Sequence, residues 1–328
     1  MPPACSDGRM TELRVGLIGA GMVARHHAIG WSRCKDARLV AIADPNEEAA
    51  ARLAEGEMTV HDTLAALLRD AKVDAIDIAT PVATHVPLVQ EAVAAGLPVL
   101  CQKPLAPSSD AAAGLSDLPQ YARIMLHENW RWRPTYRALK AHLGDRPQPH
   151  SFEFRCESSG LCRAAEGTFP ALERQPFLAD LDRLIVFELL GHHIDVLTFL
   201  FGPVDILAAR TQRRCPAVRG EDAARIDLVA GGVRGTLCGD FAVPDAPPRP
   251  RDTLTLDARD VVTDWSLDLD GAIRTWSAED GYQESYDACI AHFASCTLTS
   301  RPYETPVEHG VSLLQAIEAV YRLCKNLY

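Results

Sequence analysis

Leu13-Arg14-Val15-Gly16-Leu17-Ile18-Gly19-Ala20-Gly21-Met22-Val23-Ala24 decides the fold. Its first six residues are a short apolar run of the kind that forms a strand buried on both faces. The run passes directly into G-x-G-x-x-A. Gly19 permits a tight turn, and the missing side chain at Gly21 lets backbone approach a pyrophosphate. A helix opening at Met22, Val23 and Ala24 turns its first amides toward negative charge. Such glycine turns also arise from plain packing; what makes this one specific is Asp44, 25 residues after Gly19 at the end of the next apolar run. Asp44 is expected to accept hydrogen bonds from the ribose hydroxyls of NAD and to repel the extra phosphate of NADP. Neither Pro45 nor Asn46 offers a compensating cation, so NAD is favoured over NADP. The alternative is that Asp44 caps the helix starting near residue 46.

Further apolar runs follow over 38–43, 75–79, 98–101 and 124–126, separated by helical stretches over 47–55, 62–70 and 84–95, with another at 134–143. Alternation of this kind predicts an α/β chain whose N-terminal part, 13–143, is a Rossmann doubly wound parallel sheet behind a loose leader, 1–12. Beyond 144 the texture changes to alternating runs over 151–157, 206–212, 225–230, 234–241, 253–257 and 272–277. These predict a C-terminal α+β domain over 144–306, with an open, mostly antiparallel sheet and helices on one face. One apolar helix, about 184–200, interrupts the strands, and proline makes 244–250 a loop. A C-terminal amphipathic helix, 307–328, is expected to pack back on the first domain.

Composition narrows the function. The 328 residues are 47% hydrophobic and 23% charged, which fits a folded chain and excludes a disordered one. A net charge of -11 argues against nucleic acid and anionic membranes as partners. There is no apolar run of membrane-spanning length and no basic-then-apolar leader, so a cytoplasmic protein is expected. The ten cysteines are scattered, which points to reduced thiols, and no metal site is expected, Cys156 with Cys162 being the nearest approach to one. Arg210, Arg213, Arg214 and Arg219 form a basic cluster in an expected loop, either a solvated face or an anion clamp.

Two constellations carry chemistry. Cys101-Gln102-Lys103-Pro104 stands at the carboxyl end of a parallel strand, where open α/β sheets bind ligands. Lys103 there would stabilise a developing alkoxide. Glu188, His192 and Asp195 lie four and three residues apart in the apolar helix, hence on adjoining parts of one face, with His193 turned about 100° away. Ionisable groups in such a helix need a purpose or partners: proton transfer by His192, with a carboxylate orienting it, or a structural network.

With Ala79-Thr80-Pro81, His85 and Gly191-His192-His193-Ile194-Asp195 in this order, the chain resembles the family of glucose-fructose oxidoreductase and inositol 2-dehydrogenase. The resemblance implies a Rossmann domain followed by an open-sheet domain, and oxidation or reduction of a secondary alcohol on a sugar or cyclitol. It places the catalytic lysine on Lys103, the acid/base histidine on His192 and a substrate-binding carboxylate on Glu188, with Thr80, Pro81, His85 and Gln102 near the cofactor. The segment His127 to Pro134 resembles the family's entry to the second domain, so Asn129 and Arg131 are expected to contact cofactor or substrate, Asp195 to support His192, and the Trp residues either to stack on a sugar or to pack. The chain departs from the family with Gln102 for a glutamate, Val82 for an asparagine and Glu188 for an aspartate. A cofactor-bound sensor, or a hydrolase or lyase using NAD transiently, are the alternatives. A homodimer or homotetramer is expected, covering an apolar outer face of the second sheet.

Overall fold

In the computed structural model, residues 12–119, 122–144, 146–269 and 271–325 are described; most of the expected leader lies outside them. The chain divides into two compact units, one running to His127 and including Tyr286–Val311, the other Glu128–Ser285 with the residues from Ser312 onward.

The first unit is built on six parallel strands, β1 (Leu13–Ile18), β2 (Ala37–Ala43), β3 (Thr59–His61), β4 (Ala75–Ile78), β5 (Val99–Gln102) and β6 (Ile124–His127), in the order β3-β2-β1-β4-β5-β6. This is the doubly wound order, whose direction reverses between β1 and β4. Leu13, Val15 and Leu17 of β1 and Ile76 and Ile78 of β4 are completely buried, as expected of strands covered on both faces. Helices α1 (Met22–Arg33), α2 (Glu47–Leu53), α3 (Leu64–Asp70), α4 (His85–Ala94) and α5 (Ser109–Ser116) connect the strands. The short β3 and α5 carry too little periodicity to be read from sequence.

The second unit opens with α6 (Pro134–Leu143), then β7 (Ser151–Glu157), the short α7 (Pro170–Arg174), α8 (Gly191–Phe201), β8 (Val204–Gln212), β9 (Ala223–Ala230), β10 (Val233–Asp240), β11 (Arg251–Leu256), β12 (Asp260–Thr263), β13 (Ser266–Leu269) and β14 (Ala272–Thr275). The eight strands form one sheet in the order β14-β13-β12-β11-β7-β10-β9-β8; β7 and β10 pair in parallel and the remaining pairs are antiparallel. Phe152, Phe154, Ile226, Leu228, Leu237, Leu254 and Leu256 form its buried face. The other face differs from the apolar surface expected. It carries Arg155 with Glu153 and Glu157, and Arg225 with Asp227 and Thr236. Period-2 alternation put these polar residues there, and the exposed large apolar side chains of the sheet, Leu207 and Ile273, lie on its two edge strands.

Two other elements depart from expectation. The apolar stretch is not one α-helix: Ile185–Leu190 is π-helical and α8 begins only at Gly191. Wider i→i+5 bonding breaks the phase that would align Glu188 with His192 and Asp195. The unexpected helix α9 (Ala278–Thr299) has mixed polar and apolar residues without a clean stripe. Of α10 (Val307–Lys325), only the start belongs to the first unit; further along, Tyr321 donates to Glu221 of the second (2.6 Å). The expected domain boundary near 144 falls instead at Glu128, because the side chains of 128–136 find their partners in the second unit.

Candidate active site

The glycine turn closes between the ends of β2 and β4. Gly19 sits at φ +102°, and a Cβ there would lie 2.5 Å from the Ala79 carbonyl oxygen; only glycine fits both conditions. A Cβ at Gly21 would meet nothing within 4 Å, so that side of the turn is open. Met22 is exposed and Val23 half-exposed, while Ala24 is buried where α1 meets the sheet. Asp44 binds the turn directly: Ala20 N–H donates to its Oδ2 and Asn46 N–H to its Oδ1, both at 2.7 Å. The cap of α2 is Asn46, whose side chain accepts from Ala49 N–H, so Asp44 is not the helix cap. Its carboxylate keeps further acceptor positions beyond these two bonds. An open Gly21, an uncapped α1 and a carboxylate at the end of β2 fit a dinucleotide.

Thr80 and Pro81 follow β4, with Thr84 Oγ1 donating to Thr80 Oγ1 (2.7 Å). His85 is 1% exposed, Nδ1 against the Pro104 carbonyl (2.8 Å) and Nε2 against that of Thr80 (2.9 Å), tying the loops after β4 and β5 together. Burial, with a smaller contribution from Lys103, pushes its pKa down although both carbonyls pull it up. Lys103 is half-buried at the end of β5. Gln102, expected to touch the cofactor, is instead turned inward onto His27 Nε2 (3.0 Å) and the Lys103 amide (2.6 Å).

In the second unit His192 is 6% exposed, and the carboxylate it meets is Glu128, Nδ1 to Oε2 at 2.6 Å. Trp130 stacks on the imidazole, ring centres 4.6 Å apart and planes within 6°, with the Arg133 guanidinium 3.7 Å from the centre of the Trp130 ring. Trp132 packs under Arg137. Both rings therefore pack within the protein. Asp195, expected to support His192, makes a two-pronged ion pair with Arg131, both buried. Arg131, expected to contact cofactor or substrate, is thus placed against Asp195. Asn129 is buried and donates to Ser285 Oγ (3.0 Å). Glu188 is half-buried in the π-helical turn.

A second charged layer surrounds His193. Its Nε2 meets Asp252 Oδ1 (2.8 Å), and Asp252 also accepts from Arg133 and Tyr136 (both 3.1 Å). Burial alone would raise Asp252, but His193 and Arg133 outweigh it and hold the carboxyl at about 2. Asp264, also on Arg133, is pushed up to about 7 by burial and by the Asp252 charge. Cys156, His193 and Asp252 bring potential ligand atoms within 4.8 Å of one another, but Arg133 already balances that carboxylate. Of the basic cluster, read as a solvated face or an anion clamp in a loop, Arg210 lies in β8 rather than in a loop, Arg214 pairs with Asp222 and Asp240, and Arg219 with Asp180.

Glu128 and Asp252 are the residues sequence reasoning missed. Glu128 stood inside the quoted 127–134 segment, yet nothing local links it to a histidine 64 positions away. Asp252 looks like one more polar residue in an alternating strand.

A parallel sheet of order 3-2-1-4-5-6 with a glycine turn at its switch point, followed in the chain by a large mixed-sheet unit, defines a two-unit protein of the Rossmann type. Residues 13–128 match the family model described as an oxidoreductase family with an NAD-binding Rossmann fold. The chain belongs to this family, that of glucose-fructose oxidoreductase and inositol 2-dehydrogenase. It is similar to the D-apiose dehydrogenase of Rhizobium rhizogenes, 36% identical over 229 residues, 67% of this chain and 63% of that protein. An inositol 2-dehydrogenase 4 of Saccharopolyspora erythraea is 45% identical over 139 residues, 40% of this chain and 41% of its own. An oxidoreductase from Agrobacterium radiobacter, solved in complex with NAD+, L-tartaric acid and magnesium, superposes with a TM-score of 0.85 at 27% identity, over 96% of this chain and 97% of that one. The chain spans less than two thirds of the D-apiose dehydrogenases it matches, 63% of one and 56% of another. No helix among the described residues is long and apolar enough to cross a membrane.

Proposed function

We propose that the protein is a cytoplasmic NAD-dependent dehydrogenase or reductase acting on a secondary alcohol or ketone of a sugar, sugar derivative or cyclitol. The observation that carries this is the buried Glu128–His192 pair (2.6 Å). A carboxylate on Nδ1 requires the proton there, which makes Nε2 the basic nitrogen. In the oxidative direction His192 Nε2 takes the hydroxyl proton, and Glu128 stabilises the imidazolium that results. Lys103, from the carboxyl end of β5, holds positive charge beside the oxygen as it becomes anionic. Gly19, Gly21 and Asp44 would hold NAD, whose nicotinamide would supply the hydride acceptor. Glu188 grips a neighbouring hydroxyl, and Arg131 and Asp195, paired with each other, contribute to substrate binding.

Part of the same reading is self-association, as a homodimer or homotetramer, through the outer sheet face.

Purified protein is mixed with NAD or NADP and a panel of aldoses, ketoses, aldonic acids and cyclitols while NADH absorbance is followed, with light scattering on the same preparation. Turnover with NAD on at least one polyol is expected. If NAD binds and no substrate turns over, the protein is a sensor. If NAD copurifies and substrate is consumed with no net NADH, the oxidation is transient within an elimination or hydrolysis.

A further inference from the structure

Behind Lys103 lies a buried polar chain that the chemistry above does not use. Asp77, in the interior of β4, is 0% exposed, a costly place for a carboxylate without partners. Its Oδ2 receives His27 Nδ1 (2.7 Å) and Trp31 Nε1 (2.6 Å), both from α1. An ionised carboxylate only accepts, so the His27 proton sits on Nδ1 and its Nε2 carries a lone pair. The contact with Gln102 Nε2 (3.0 Å) must then be donated by the amide. This orients the glutamine with Oε1 toward Lys103 N–H, which donates at 2.6 Å. One direction of hydrogen bonding satisfies every link. His127 and Tyr286 face His27 from β6 and α9, with ring centres 4.3 and 5.5 Å away.

We propose that Asp77, His27 and Gln102 are positioning residues that fix the Lys103 backbone, and that they tie it to α1, the helix that opens from the dinucleotide turn. The proposal rests on Lys103 acting at the substrate oxygen. A backbone amide held by a short bond to a buried side chain is restrained, and displacement of a catalytic group by 1 Å can cost about 100-fold in rate. Gln102 suits this task because it both donates to His27 and accepts from Lys103; a residue with only acceptors would face the His27 lone pair.

The test uses His27→Asn, Gln102→Met and Lys103→Ala, singly and combined. Asparagine keeps a donor for Asp77 while removing the Nε2 link, and methionine keeps the volume of Gln102. Each relay variant is expected to lower kcat about tenfold or more with KM for NAD within about twofold. In the Lys103→Ala background the same changes are expected to be silent, since there is no amine left to position. Normal kcat in both relay variants, with Lys103→Ala inactive, would overturn the relay alone. An equal fall in kcat with and without Lys103 would also overturn it, as damage unrelated to the lysine. If Lys103→Ala retains full kcat, the assignment of Lys103 itself fails and the relay falls with it.

Discussion

At His192 the decisive partner is a carboxylate far away in the chain. The stacked Trp130 ring and the Glu128 oxygen together fix the imidazole's plane and tautomer. Glu128→Gln isolates the electrostatic part of that arrangement, because the amide oxygen still accepts from Nδ1–H but no longer balances an imidazolium. It is expected to lower kcat about 10- to 100-fold with the melting temperature little changed, measured by steady-state kinetics beside thermal denaturation. Ionisable residues in an apolar helix were legible as a site. Their pairings were not, because the π-helical turn shifts Glu188 out of phase and Asp195 is drawn to Arg131.

At the scale of the element, the turn between β1 and α1 asks two different things of its glycines. Gly19 answers a backbone demand, a left-handed φ and an approach to Ala79 that no side chain permits. Gly21 has ordinary backbone and open space, so its missing side chain serves what binds outside the turn. Gly19→Ala is expected to destabilise the protein by about 1–3 kcal/mol. Gly21→Ala is expected to melt like the parent but bind NAD at least about tenfold more weakly, an affinity difference of about 1.4 kcal/mol. Thermal denaturation with and without NAD separates the two, and equal melting temperatures for both variants would contradict the division of roles. The G-x-G-x-x-A spacing named both glycines; which of them belonged to the fold and which to the ligand needed the position of Ala79.

For the whole molecule, stability as a function of pH follows from the buried charges around Arg133. Asp264 titrates above its unfolded value, so the unfolded chain gives up this proton first and native stability falls as pH rises from about 4 to about 7. Asp252 has the opposite sign: its contribution is complete above about 4 and is lost as pH falls toward 2. Asp264→Asn removes the first effect, since the amide keeps an acceptor for Arg133 and the Asp252 amide without a proton to lose. Melting temperatures measured between pH 4 and 8 are expected to decline less in this variant than in the parent. A decline of unchanged steepness would place the titration elsewhere.

The sequence by itself determined the first unit's parallel sheet, its switch-point turn and the residues able to do proton chemistry, because hydrophobic period, glycine spacing and residue type are local properties. Tertiary structure alone decided that Glu128 rather than Asp195 meets His192 and that Gln102 faces inward to His27. Those outcomes depend on which distant side chains share a buried space, where every carboxylate and amide must find a partner, and sequence spacing carries no record of that.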